Sequence, residues 1–88
     1  MIEKKIKNIL KKKINLYNIN VKKTDNNFEI VVVSDIFLNK TELQKQQIVY
    51  SNIQKLIFKK KIHAVTIYAY SIKEWKKKSL KQKTQKNK

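Results

Sequence analysis

Apolar residues recur early in the chain as Ile2, Ile6, Ile9, Leu10 and Ile14, while Lys4, Lys5, Lys7, Lys11, Lys12 and Lys13 fill most of the remaining surface. That spacing predicts an amphipathic first helix, its apolar stripe on a core and its lysines in water. The period then shortens to two. Tyr17, Ile19 and Val21 alternate with Asn18, Asn20 and Lys22, as in a strand with one wet face. Thr24 to Asn27 supply turn residues, and Phe28 to Val33 (FEIVVV) form a β-branched run suited to a more central strand. The two segments are predicted to pair as a hairpin.

After Ser34 and Asp35 a connection runs to about Asn39, and Leu43, Gln47, Tyr50, Ile53, Leu56, Ile57 and Lys60 then fall at helical spacing. A long second helix is predicted, capped either by Asn39 with Glu42 three residues on or by Thr41, with Ser51–Asn52 as a place for it to bend. From His63, the residues Val65, Ile67 and Ala69 alternate with Ala64, Thr66, Tyr68 and Tyr70, a third strand covered on at least one side. Ser71 and Glu74 have the spacing of a capping box, and Trp75 falls in the first turn of the helix they start. The closing KSLKQKTQKNK has little to bury. Residues 1–80 are therefore expected to form the domain and 81–88 a flexible Lys-rich tail.

The order α-β-β-α-β-α implies a small single α/β (α+β) domain, a three-stranded mixed sheet with helices on one face. A right-handed crossover would make the third strand parallel to a neighbour. This is the type II KH-like order, but KH domains grip nucleic-acid backbone through a GxxG loop, and this chain has no glycine.

Composition narrows the chemistry. Eighty-eight residues suffice for one core but not for a deep enclosed active site. Without Gly there is no Walker loop and no GxGxxG turn, which excludes the common nucleotide-binding designs. Without Cys there is no disulfide, no thiol nucleophile and no complete zinc or iron–sulfur site within the chain. Basic residues number 22, all lysine, against 6 acidic ones, giving a formal charge of +16. An anionic partner is the direct inference. Lys, Ile and Asn are, however, the residues of A- and T-rich codons, so the charge alone is weak evidence for nucleic acid. No apolar run approaches the ~20 residues of a membrane span, and MIEKKIKNILKKKI lacks the apolar core of a secretory signal, so a cytoplasmic location is expected. Asp35, Glu42 and Glu74 are scattered along the chain and are better explained as loop and cap residues than as an acid–base pair; no catalytic residue is assigned.

VVVSDIFLNKTELQKQQIVYSNIQ and IHAVTIYAYSIKEW together resemble the BolA family, most closely its bacterial IbaG/YrbA-type branch. The likeness runs without an evident gap from about Phe28 to Trp75. It is carried by the VVVSD strand end, Phe37 two residues after Asp35, the KQQ-x-VY segment of Lys45 to Tyr50, the His63–Ala64 pair and the closing Glu74–Trp75. Two departures stand out. Many BolA-type chains place a His or Cys just before the aromatic that opens strand two, where this chain has Asn27, and many have Gly where this chain has Asn39. Asn is a poor iron ligand, but it tolerates a left-handed backbone.

The resemblance implies a non-enzymatic cytoplasmic protein that works with a monothiol glutaredoxin in iron–sulfur cluster handling. His63 would be this chain's ligand to a [2Fe–2S] cluster shared with the glutaredoxin and glutathione, present only in the complex. Neutral imidazole is a nitrogen donor of borderline softness suited to iron. The expected docking face is His63 with Ser71, Lys73 and Lys76. The alternative is a BolA-type DNA-binding regulator linked to stress response, using Lys73, Lys76, Lys77 and Lys78. Alone, the chain is expected to carry no cofactor and to be a monomer or a weak homodimer.

Overall fold

Strand β2 (Asn27–Val33) is the axis of the molecule, and its burial alternates as its sequence requires, with Phe28, Ile30 and Val32 all buried on one side. The computed structural model describes residues 2–86, with side chains for 2–79. Around β2 the chain forms α1 (Ile2–Lys13), β1 (Asn18–Thr24), a 3₁₀ turn (Asp35–Phe37), α2 (Glu42–Lys59), β3 (Ala64–Tyr70) and α3 (Ile72–Lys86). The sheet order is β1-β2-β3. β1 pairs antiparallel with β2, setting Val21 opposite Ile30, and β3 pairs parallel with β2, setting Ile67 opposite Ile30. The hairpin, the central FEIVVV strand and the parallel third strand follow the sequence expectation.

Helices α1 and α2 lie on the same face of the sheet, α1 against β1 and α2 against β3, and also against each other. Ile6, Leu10 and Ile14 from α1 meet Val49, Ile53 and Ile57 from α2 over Val21, Phe28, Ile30, Val32 and Ala69. Each Ile, Leu, Val and Phe among them contributes roughly 1.5–3 kcal/mol when fully removed from water. The α1 stripe is as read from sequence. The α2 stripe is so only in its second half, where Ile53 and Ile57 are buried and Leu56 packs on the core; its buried line begins at Lys45 and Val49, while Leu43, Gln47 and Tyr50 are exposed. One helix cannot turn both lines toward one sheet, and β-branched Val49, Ile53 and Ile57 take the core.

With no glycine available, three turns are made by other residues at positive φ: Asp25 (53°), Asn39 (63°) and Lys61 (54°). Asn39 is thus a turn residue rather than a cap, and Thr41 caps α2. The Thr41 hydroxyl accepts from the Gln44 N–H at 3.1 Å, and Gln44 Oε1 accepts from the Thr41 N–H at 2.9 Å. At the position expected to bend, α2 stays helical, with Ser51 Oγ and Asn52 Nδ2 both donating to the Ile48 carbonyl. The residue 80 boundary and the tail of 81–88 fall largely beyond the described side chains. The α3 backbone is helical through Lys86, and residues 87 and 88 lie outside the described residues.

Candidate functional site

Helix α2 ends in a tight reversal. The Lys60 N–H donates to the Leu56 and Phe58 carbonyls, and the Ile62 N–H donates to the Ile57 carbonyl at 3.0 Å. Lys61, between them, occupies the left-handed region, which costs a residue with a β-carbon about 1–2 kcal/mol. The turn is therefore imposed by what flanks it. Ile62 packs on the core, β3 begins at Ala64, and the residue between them, His63, is exposed.

Strand register brings a second position to this corner. Ala64 lies opposite Asn27 in the parallel pair, and adjacent strands run about 4.8 Å apart, so Asn27 and His63 share one end of the sheet despite their distance in sequence. Asn27 is half-buried, and its side-chain oxygen accepts from Thr66 Oγ1 at 3.3 Å. An amide oxygen already engaged in this way adds nothing as an iron donor. What this chain offers here is one outward-facing imidazole. Among the described residues no three His, Cys, Asp or Glu side chains gather to hold a metal ion. The donor set therefore fits a metal centre only as a single nitrogen added to ligands from elsewhere.

The expected docking face of His63 with Ser71, Lys73 and Lys76 requires correction at Ser71. β3 is seven residues long, so about 23 Å of strand separates His63 from Ser71. Ser71 is also only 2% exposed. Its hydroxyl accepts from the Glu74 N–H at 3.2 Å and its own N–H donates to Glu74 Oε1 at 2.8 Å, the capping box that the spacing predicted. It holds a helix start rather than a partner. Lys73, Lys76, Lys77 and Lys78 are exposed on the first two turns of α3, with Lys78 Nζ 5.7 Å from the Tyr70 ring centroid. Trp75 is half-buried there, its ring tilted 51° to Tyr70 at a centroid distance of 5.6 Å.

Sequence reasoning missed Lys45. It is 1% exposed, and its ammonium lies 2.7 Å from Glu42 Oε2 and 3.1 and 3.2 Å from the two oxygens of Glu74. The two carboxylates, scattered in sequence, thus converge on one cation that joins α2 to α3. Burial pulls the Lys45 pKa down, but hydrogen bonds and charge from Glu42 and Glu74 outweigh it and leave it above the ordinary 10.5. The Ser71 backbone N–H holds Glu74 below the ordinary 4.5; burial opposes this and Lys45 reinforces it. The raised Lys45 and the lowered Glu74 are both charged at neutral pH, so the link between them is a structural tie. The available signal was spacing, since Lys45 stands one step of four before Val49, Ile53 and Ile57.

The BolA-like protein family model matches residues 3–74. An uncharacterized protein of Buchnera aphidicola from Schizaphis graminum is 40% identical over 77 residues, covering 88% of this chain and 96% of its own length. The acid stress protein IbaG of Escherichia coli K12 is 31% identical over 75 residues, covering 85% of this chain and 89% of its own. Among solved structures, a Bol-like protein from Babesia bovis superposes with a TM-score of 0.77 at 23% identity, covering 88% of this chain and 92% of that one. The α-β-β-α-β-α order, the mixed three-stranded sheet and the match over most of the sequence agree, and the chain belongs to the BolA-like family.

Proposed function

We propose that this protein is a non-enzymatic partner of a monothiol glutaredoxin and that His63 supplies one nitrogen ligand to a [2Fe–2S] cluster shared between them. The observation that supports this reading is the exposure of the only imidazole in the chain at the junction of α2 and β3. The cluster, when bound, supplies iron with a coordination position open to a neutral nitrogen donor. This chain's residues do the rest. Ile62 and the β3 pairing fix the backbone on either side of His63, and Asn27 keeps its amide on Thr66, so sulfur ligands come from the partner and glutathione.

The test is to mix the two purified proteins with iron, sulfide and glutathione. A spectrum distinct from that of glutaredoxin alone is expected, and His63→Ala restores the glutaredoxin spectrum. An unchanged spectrum with the native chain removes the proposal. Asn27→His adds a second donor at the same sheet end, and slower loss of the cluster to a chelator is expected; equal rates count against the corner as the site.

The second reading is DNA binding through Lys73, Lys76, Lys77 and Lys78, supported by their exposure together on α3. Each phosphate neutralised contributes about 0.9 to the log–log slope of affinity against salt. Equal affinity for a candidate operator and for random duplex would reduce this to a charge effect.

A further inference from the structure

The two edges of the sheet differ in what they offer another chain. β1 carries Asn18, Asn20, Lys22 and Lys23, polar and charged residues of the kind that blunt an exposed edge. β3, with sequence AVTIYAY, carries no charge and has β2 as its one sheet neighbour among the described residues. An uncharged strand of this length leaves a row of backbone donors and acceptors open to pairing.

Beside that edge lies the apolar stripe of α2 that the core does not use. Leu43, Gln47, Tyr50, Gln54 and Phe58 follow one another at three- and four-residue steps. Leu43 is 65% exposed, Tyr50 42% and Phe58 87%. Leu43 and Tyr50 line a groove of about 430 Å³ with Val65 and Ile67 of β3. A second hollow, bounded by Phe58, Lys55 and Lys59, continues from it through Ser51 and Gln54. No described side chain of α1 or α3 lines either hollow. Exposed apolar side chains spaced among Gln46, Gln47, Ser51 and Gln54, beside an unpaired strand edge, offer the pockets and polar groups that β-strand addition uses.

Charge selects the occupant. The Phe58 end of the groove is lined by Lys55 and Lys59, and Lys60 and Lys61 follow in the turn. A second copy would bring another +16 to this surface. We infer that the β3 edge and the α2 groove form a docking site for an extended, acidic segment of another protein. Its backbone pairs with β3 as a fourth strand. Its alternate apolar side chains fill the groove over Val65, Ile67, Leu43 and Tyr50, and carboxylates at one end meet Lys55 and Lys59. This surface starts beside His63 but does not use its imidazole, and it goes beyond the cluster reading.

The probe is a peptide of about ten residues, with Ile, Val and Ile alternating with Thr between paired glutamates at each end. Amide shifts in the NMR spectrum are expected at Ala64–Tyr70 and at Leu43, Tyr50 and Phe58, with slowed hydrogen exchange in β3. Replacing the central Val of the peptide by Pro, or its glutamates by Lys, weakens binding about tenfold or more. Tyr50→Ala and Phe58→Ala each weaken it about fivefold while leaving the thermal melt unchanged. The inference is overturned by any of four results: no shifts at millimolar peptide, shifts confined to β1 or α3, equal binding of the Pro or Lys peptides, or peptide-free shifts at β3 that grow with protein concentration. The last would assign the edge to a second copy.

Discussion

The α1–β1 side and the α2–β3 side of this small domain are built from similar parts and end in different states. On the first, the apolar stripe Ile6, Leu10 and Ile14 is wholly taken up by the core with Ile2, Ile9, Leu16 and Ile19 packed beside it, and Tyr17, 55% exposed, is the one large apolar side chain left in water among the described residues of that side. On the second, α2 carries two stripes. Val49, Ile53 and Ile57 are buried, whereas Leu43 and Tyr50 stay exposed beside an uncharged strand and Phe58 stays exposed near the end of the helix. The same apolar residue type is therefore a stability element on one side and a surface for recognition on the other. The difference lies in which stripe reaches the sheet first, because a three-stranded sheet gives each helix room to bury one face only.

Six substitutions at five positions test that contrast. The largest effect is expected at Leu10→Ala, which opens a cavity on the closed side and costs about 2–5 kcal/mol in urea unfolding. Phe58→Ala on the open side stays within about 0.5 kcal/mol. A comparable loss at both positions would erase the distinction. Next is Lys45, whose stem extends the buried α2 stripe. Lys45→Ala is expected to cost roughly 2 kcal/mol, and Lys45→Met, which keeps the stem, less than about 1 kcal/mol. Equal losses would place the energy in the ion pairs instead of the packing.

Lys61→Gly should raise stability by roughly 0.5–1 kcal/mol, because it relieves a left-handed backbone at a cost in unfolded-chain entropy. A loss would show that the Lys61 side chain holds the His63 turn. The smallest effect is in pH dependence, since Glu74 is half in water. Its folded pKa lies below 4.5, so its contribution is present above that value and fades as pH falls through the folded pKa. Lys45 lies above 10.5, so its contribution is present below that value and fades as pH rises through the folded pKa. Glu74→Gln should flatten the acid limb of the stability profile, and an unchanged limb would mean that the tie between α2 and α3 does not couple to folding.

Much of the architecture was legible one element at a time. FEIVVV announced the central strand because a strand covered on one face and flanked on both edges favours β-branched residues. Ser71 and Glu74 announced the start of α3 because a capping box is a local arrangement of hydrogen bonds. The start of α2 was ambiguous for the same reason. Asn39 and Thr41 both carry capping side chains, and only the positive φ of one and the reciprocal bonds of the other separate them. The His63 corner was half legible: the histidine stood out by being single, but Ser71, expected beside it on an exposed face, is buried in the α3 capping box. A capping serine satisfies its hydroxyl locally, which lets it sit away from water.

The order of elements, the position of the turns and the apolar line of α1 were determined by the chain itself, since they depend on period, capping chemistry and backbone preference within a few residues. The tertiary structure decided which of two α2 stripes is core, the burial of Lys45 between Glu42 and Glu74, and the meeting of Asn27 with the His63 end of β3. Those depend on a parallel register and a helix rotation, which are settled by packing among segments distant in sequence and leave no local mark on any one of them.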